Sequence, residues 1–174
     1  HEVEIIPLEV VIRNIAAGSL SKRLGIKSGE KLSRTLIEYY FKDDILKDPL
    51  VSEEHILTFG WANQNELDEI SSLALRINDF LVGYFSALKI ELIDFKIEFG
   101  RMYKNDEMYI ILADEISPDS CRLWDFETKK KLDKDVFREN SGYLLDGYNE
   151  VAKRMGLLTE NKASKNSKPT LVKG

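Results

Sequence analysis

The stretch Leu92-Ile93-Asp94-Phe95-Lys96-Ile97-Glu98-Phe99-Gly100 constrains the fold of this chain more than any other. An extended strand sends successive side chains to opposite faces, so Asp94, Lys96 and Glu98 share one face and Phe95, Ile97 and Phe99 the other. Such a strand needs a packed layer behind it and an open polar surface in front. The sequence supplies the packed layer. From Gln64 to Leu88 the residues Leu67, Ile70, Ala74, Ile77, Leu81, Phe85 and Leu88 recur in steps of three and four. That spacing predicts a long amphipathic helix whose stripe is core rather than a cofactor box. At 174 residues, 43% of them hydrophobic, the chain suits one domain or one large lobe.

The other elements follow from similar signals. Residues 3–13 read as a strand with a break point at Pro7, placing Leu8, Val10 and Ile12 on one face. Ala16 to Ser19 is a small-residue turn, and Ser21 to Leu24 a short helix ending near Gly25. Leu36 to Phe41 is a second strand, and Asp43 to Pro49 a polar loop. Ser52, followed by Glu53 and Glu54, is a helix N-cap. Residues 90–99 and 108–113 pair as a hairpin about Lys104-Asn105-Asp106. Asp133 to Asn140 and Tyr143 to Met155 read as helices, the second closed by Gly156. The fold class is therefore α+β, a mainly antiparallel sheet flanked by helices. Residues 1–158 form the domain, and 159–174 a polar, lysine-rich flexible tail.

Composition narrows the function classes. The 25 basic and 30 acidic residues give a net charge of -5, and no basic stripe of a nucleic-acid binder is present. A local basic pocket for a small anion remains compatible with this charge. One cysteine, Cys121, and two distant histidines, His1 and His55, argue against a disulfide framework and a thiolate or His-based metal site. Cys121 reads as a small buried residue, not a nucleophile. Apolar runs are strand-sized, so no membrane span is expected, and a cytoplasmic location is the expectation.

The chemistry centres on the hairpin. If its loop has three residues, Tyr103 faces Glu107 and Lys96 faces Asp114. Glu98 and Asp114 then become diagonal neighbours, roughly 7–8 Å apart at the backbone. Two carboxylates so placed can share a divalent cation whose shell substrate phosphates complete. A two-residue loop instead turns Asp114 to the apolar face. Lys96, between the acids, is either a contact for a transferring phosphate or substrate carboxylate, or an ion pair of little energetic weight. Asp94 can orient a substrate hydroxyl or amine. Arg122, in the turn-rich stretch Ser117 to Asp125, can hold an anion through its planar fork, or be solvated.

Three segments carry a resemblance to phosphoribosylaminoimidazole-succinocarboxamide synthases, the SAICAR synthetases. They are Ile6-Pro7-Leu8-Glu9-Val10-Val11-Ile12-Arg13-Asn14-Ile15-Ala16-Ala17-Gly18-Ser19, the Leu92 to Gly100 strand, and Asp114-Glu115-Ile116-Ser117-Pro118-Asp119-Ser120-Cys121-Arg122-Leu123-Trp124-Asp125. The resemblance spans about residues 2 to 158. It implies a two-lobed, kinase-like cleft and an ATP-dependent ligase of purine biosynthesis. That ligase joins L-aspartate to carboxyaminoimidazole ribonucleotide (CAIR) through an acyl phosphate, giving SAICAR, ADP and phosphate. It implies Mg²⁺ on Glu98 and Asp114, with Lys42 on the nucleotide. The adenine would lie against the backbone of Ile5, Ile6, Pro7 and Leu8. Arg13, Ser19, Asp94, Lys96, Arg122 and Arg138 would hold CAIR, with Lys96 and Asp94 closest to the chemistry. The family's first lobe carries a Gly-Lys phosphate-covering segment, and nothing like it occurs here. The expectation is a chain that begins at the hinge and binds ATP poorly by itself. A small-molecule phosphotransferase of kinase type and a non-catalytic fragment are the alternatives; a homo-oligomer stays open.

Overall fold

The computed structural model describes residues 3–138 and 144–158. Six strands form one antiparallel sheet: β1 (Val3–Ile15), β2 (Lys31–Phe41), β3 (Leu50–Val51), β4 (Ile90–Lys104), β5 (Glu107–Leu112) and β6 (Cys121–Asp125). The order is β3-β2-β1-β4-β5, with β6 also on β4. The helices are α1 (Gly18–Leu24), α2 (Glu53–Thr58), α3 (Gln64–Ala87), α4 (Asp135–Arg138) and α5 (Leu144–Arg154).

The alternation along β1 and β4 decides the layering. Leu8, Val10, Ile12, Phe95, Ile97 and Phe99 are all buried on one face. Leu67, Ile70, Ala74, Leu81 and Phe85 of α3 join them in one hydrophobic cluster. Asn63 and Glu66 start α3 with a reciprocal capping box, which satisfies backbone donors that a helix start leaves free. Ser52 caps α2 as expected, with His55 returning the bond. Gly25 (φ 66°) ends α1, and Gly156 (φ 73°) follows α5, in the left-handed region that a side chain disfavours.

Pro7 does not end β1. The strand runs on to Val3, and its register against β4 shifts between Ile5 and Glu9. A proline has no N–H for the ladder, so the irregularity falls where that donor is missing.

Two expectations are corrected. The β4–β5 loop has two residues, because Lys104 pairs with Glu107. Asn105 (φ 53°) and Asp106 (φ 63°) both adopt positive φ, the conformation of the tight hairpin turn whose twist matches the strands. Arg122 does not sit in an irregular loop. It lies on β6, which pairs with β4 and buries Cys121, Leu123 and Trp124. The capped helix read from Asp133 begins at Asp135, with Asp133 as its cap. The buried Asp133 carboxylate accepts from the amides of Leu123 and Asp135, holding β6 to the helix start. The tail after residue 158 lies outside the described residues.

One feature of β4 makes the cleft. One edge of this long strand pairs with β1 from Asp94 to Met102, while the other is shared by β6 near its start and β5 near its end. Between them the chain leaves the sheet. Lys96 N–H donates to Ser120 O (2.9 Å), and Glu98 O accepts from Ala113 N–H (2.9 Å), at the two lips of the opening. The segment from Ala113 to Ser120 therefore bends away over the polar face instead of continuing the ladder.

A candidate anion- and nucleotide-binding cleft

Three neighbouring strands contribute to one polar face by register alone. Arg13 lies opposite Asp94, Val11 opposite Lys96, and Glu9 opposite Glu98. On the far side of β1, Val11 faces Glu38 and Glu9 faces Tyr40. Directly opposed residues of antiparallel strands point to the same side. The odd residues of β1 and the even residues of β2 and β4 thus form one polar patch in front of the apolar layer. A cavity of about 310 Å³ opens there, with Glu9, Arg13, Ser19, Asp94, Lys96 and Arg122 in its wall.

At one end lies an arginine cluster. Asp94, 3% exposed, receives Arg13 Nη1 at 2.7 Å and Arg122 Nη1 at 3.0 and 3.1 Å. Burial pushes the Asp94 carboxyl above its usual range, while Arg122 and Arg13 pull it back. Arg13 Nη2 donates to Ser19 Oγ (3.0 Å) and Tyr40 Oη (3.2 Å), and its Nε to Glu38 Oε2 (2.7 Å). Burial opposes the charge of Arg13, yet Asp94 and Glu38 more than offset it and raise the guanidinium pKa. Arg122 Nε is held by Asp135 Oδ2 at 2.5 Å. Gly18 (φ 55°) lies beside it, and a Cβ there would press on the Arg122 guanidinium and displace it.

At the other end is an acidic group threaded by lysines. Lys96 Nζ lies 2.8 Å from Glu9 Oε1, 3.1 Å from Glu98 Oε1 and 3.8 Å from Asp114 Oδ2. Lys42 Nζ holds the other oxygen of Glu98 at 2.5 Å. Burial resists the charge on both partners, but Lys42 and Lys96 lower the pKa of Glu98, and Glu9 and Glu98 raise that of Lys96. Glu98 and Asp114 therefore face a common ammonium, although the three-residue loop behind that expectation is absent. The reason is the bend after Leu112: Asp114 is no longer on a strand, so strand parity does not decide its direction.

Five of the six residues expected at CAIR converge on this cavity, namely Arg13, Ser19, Asp94, Lys96 and Arg122. The sixth, Arg138, ends α4, and its side chain lies outside the described residues. Of the expected hinge, Ile6 and Leu8 are buried, Ile5 is exposed, and Pro7 O accepts from Lys42 N–H (3.1 Å). That bond ties the hinge to the lysine on Glu98. Glu38, Tyr40, Glu9 and Asp135 were not singled out from the sequence. The first three are visible only once the β1–β2 and β1–β4 registers are known. Cys121 is buried and its thiol is pushed up to about 12 by burial, consistent with a packing residue.

Among the described residues no three His, Cys, Asp or Glu side chains are placed to hold a metal by themselves. Glu98 and Asp114 fit a cation that keeps most of its shell for phosphate and water, as Mg²⁺ does.

A pair of arginines at one end and a lysine-bridged acidic pair at the other thus line one polar cleft. The chain belongs to the SAICAR synthetase family, whose model matches residues 1–155. It is 63% identical over 172 residues to the phosphoribosylaminoimidazole-succinocarboxamide synthase of Sinorhizobium medicae, covering 99% of this chain and 68% of that protein. The crystal structure of the Ehrlichia chaffeensis synthase superposes with a TM-score of 0.86 at 48% identity, covering 91% of this chain and 67% of that one. A SAICAR synthetase in complex with ADP superposes at 0.83 and 45% identity, covering 88% and 64%. The chain thus spans about two thirds of the length of these relatives. The family is one of ATP-dependent ligases in purine biosynthesis, and of the three expected activities the ligase is the one that its relatives support. No helix among the described residues is long and apolar enough to cross a membrane.

Proposed function

We propose that this cleft binds CAIR at its arginine end and ATP at its acidic end, and joins L-aspartate to the activated carboxylate at the junction. The observation that carries the assignment is the position of Lys96. Its ammonium touches the acidic pair on one side and lines the same cavity as Arg13 and Arg122 on the other. A phosphate leaving the acidic end for a carboxylate in the cavity therefore passes the positive charge of Lys96, which stabilises the charge carried in transfer.

Each residue has a separable task. Arg13, Ser19 and Arg122 hold the nucleotide's anionic groups by charge-assisted hydrogen bonds. Arg138 is assigned to the same task by resemblance. Asp94, with both oxygens engaged, fixes the two guanidiniums so that no ordering is needed when substrate arrives. Lys42 and the backbone of Ile5 to Leu8 hold ATP. Glu98 and Asp114 would hold Mg²⁺, which would supply positive charge to offset that of the phosphates. When the lysines turn from Glu98 to phosphate, they free its oxygens for that role. Phosphorylation of the CAIR carboxylate replaces a poor leaving group by phosphate, and the aspartate amine displaces it.

The test is ADP release by the full-length enzyme with each substrate omitted in turn. Full turnover should need ATP, CAIR and aspartate together. Undiminished ADP release without aspartate would favour the phosphotransferase alternative. Asp114→Asn should abolish turnover and weaken Mg²⁺-dependent ADP binding by calorimetry, with little change in melting temperature. Unchanged ADP binding at saturating Mg²⁺ would remove Asp114 from the metal site.

A further inference from the structure

Arg13 is held on two opposite sides, by Asp94 and Tyr40 in the cavity wall and by Glu38 outside it. Asp94 takes Nη1 from the β4 side. On the β2 side Glu38 takes Nε at 2.7 Å, and Tyr40 donates to the same Glu38 oxygen at 3.0 Å while accepting from Arg13 Nη2 at 3.2 Å. The second oxygen of Glu38 pairs with Arg23, which also donates to Tyr40 Oη at 3.2 Å. Arg13, Ser19 and Tyr40 line the cavity, whereas Glu38 is not part of its wall. Its side chain is 9% exposed and is fully occupied by the two arginines and the tyrosine. Both oxygens of that carboxylate are committed to neighbouring side chains rather than offered to a ligand in the cavity. Its grip on Nε bears on where the Arg13 fork points.

We infer that Glu38 is a positioning residue for substrate binding: from outside the cavity it aligns the Arg13 guanidinium toward Ser19, where the nucleotide's anionic group is bound. This rests on the assignment of Arg13 to CAIR made above. The physical reason is geometric. A guanidinium gripped at Nε and Nη1 cannot rotate about its long side chain, so Nη2 stays fixed on Ser19 Oγ at 3.0 Å. A planar fork matched to an oxyanion loses affinity when its plane turns. Glu38→Gln keeps the volume but puts an amide donor against an arginine, releasing one side of the grip.

The experiment measures KM for CAIR and for ATP, and kcat, in the full-length enzyme for Glu38→Gln, Arg13→Ala and the double variant. Glu38→Gln should raise the CAIR KM roughly ten-fold, the size of one misaligned charge-assisted hydrogen bond, with kcat and the ATP KM within about two-fold. In the Arg13→Ala background the same change should have no further effect on the CAIR KM, because Glu38 acts only through Arg13. A purely structural role would instead add its penalty in both backgrounds, and that outcome overturns the inference. So does an unchanged CAIR KM in folded Glu38→Gln when Arg13→Ala raises it. If Arg13→Ala itself leaves the CAIR KM unchanged, the substrate assignment fails first and the inference with it. Should Glu38→Gln not fold, Glu38→Asp carries the test. Its carboxylate is withdrawn by one methylene, and an unraised CAIR KM there overturns the inference equally.

Discussion

Asp94, read from the sequence as a group that orients a substrate hydroxyl or amine, lies in the cavity wall between two arginines. Its alternation with Lys96 and Glu98 places it on the polar face, where both oxygens are taken by Arg13 and Arg122 and the group is buried. Removing its charge leaves two guanidiniums facing one amide. Asp94→Asn should therefore cost about 3 kcal/mol of stability, within the range for breaking a buried ion pair. It should also weaken CAIR binding more than ATP binding. Urea unfolding and the two KM values check this, and a variant as stable as the parent would show that Asp94 does not organise the cluster. The same residue-scale logic explains Gly18, whose missing side chain is the space that the Arg122 fork occupies.

At the scale of elements, α3 is joined to β4 by more than its apolar stripe. Arg101 of β4 grips Glu66 of the α3 capping box through Nε (2.5 Å) and Nη2 (3.0 Å), and donates also to Trp61 O (2.9 Å). The hydrogen bond from Arg101 lowers the pKa of Glu66 against the opposing effect of burial. A lowered pKa in the folded state means that the unfolded chain binds the proton first. The stabilisation is therefore complete above the ordinary value of 4.5 and is lost as pH falls through the lower, folded value. Glu66→Gln should destabilise the protein by about 2 kcal/mol at pH 7, and by progressively less below about pH 4.5. Denaturant unfolding at stepped pH measures this, and a gap independent of pH would refute the coupling. The β4–β5 hairpin carries a separate lesson. Asn105-Asp106 is a turn signal in its own right, but the neighbouring Lys104 made a longer loop equally plausible. Only backbone φ distinguishes the two.

For the whole molecule, one sheet separates an apolar core on one face from a polar cleft on the other. Ile97 is 0% exposed and lies in the hydrophobic cluster, whereas its neighbour Lys96 lies at the cavity wall with its side chain 34% exposed. Ile97→Ala should cost about 2–5 kcal/mol, as for other buried aliphatic truncations, and leave the KM values of the folded fraction unchanged. Lys96→Met should remove most of the turnover and change the melting temperature far less. Comparable melting-temperature losses in the two variants would mean that the faces are not separable. The break between β5 and β6 is the architectural device behind this division. It lets the segment after Leu112 leave the apolar layer and deliver Asp114 to the polar face.

What the sequence determined by itself was periodic: the alternating faces of β1 and β4, the three-and-four stripe of α3, the capped start of α2, and the identity of the motif-bearing segments. These are local properties, set by bonded geometry within a few residues. The tertiary structure alone decided which strand lies beside which, and hence that Glu38 and Tyr40 stand behind Arg13, that Arg122 is a strand residue, and that Asp114 reaches Lys96 despite a two-residue turn. Those facts join residues far apart in sequence, such as Arg13 with Glu38 and Asp94, 25 and 81 positions away, through register and chain departure. No periodicity within one segment encodes a contact between two.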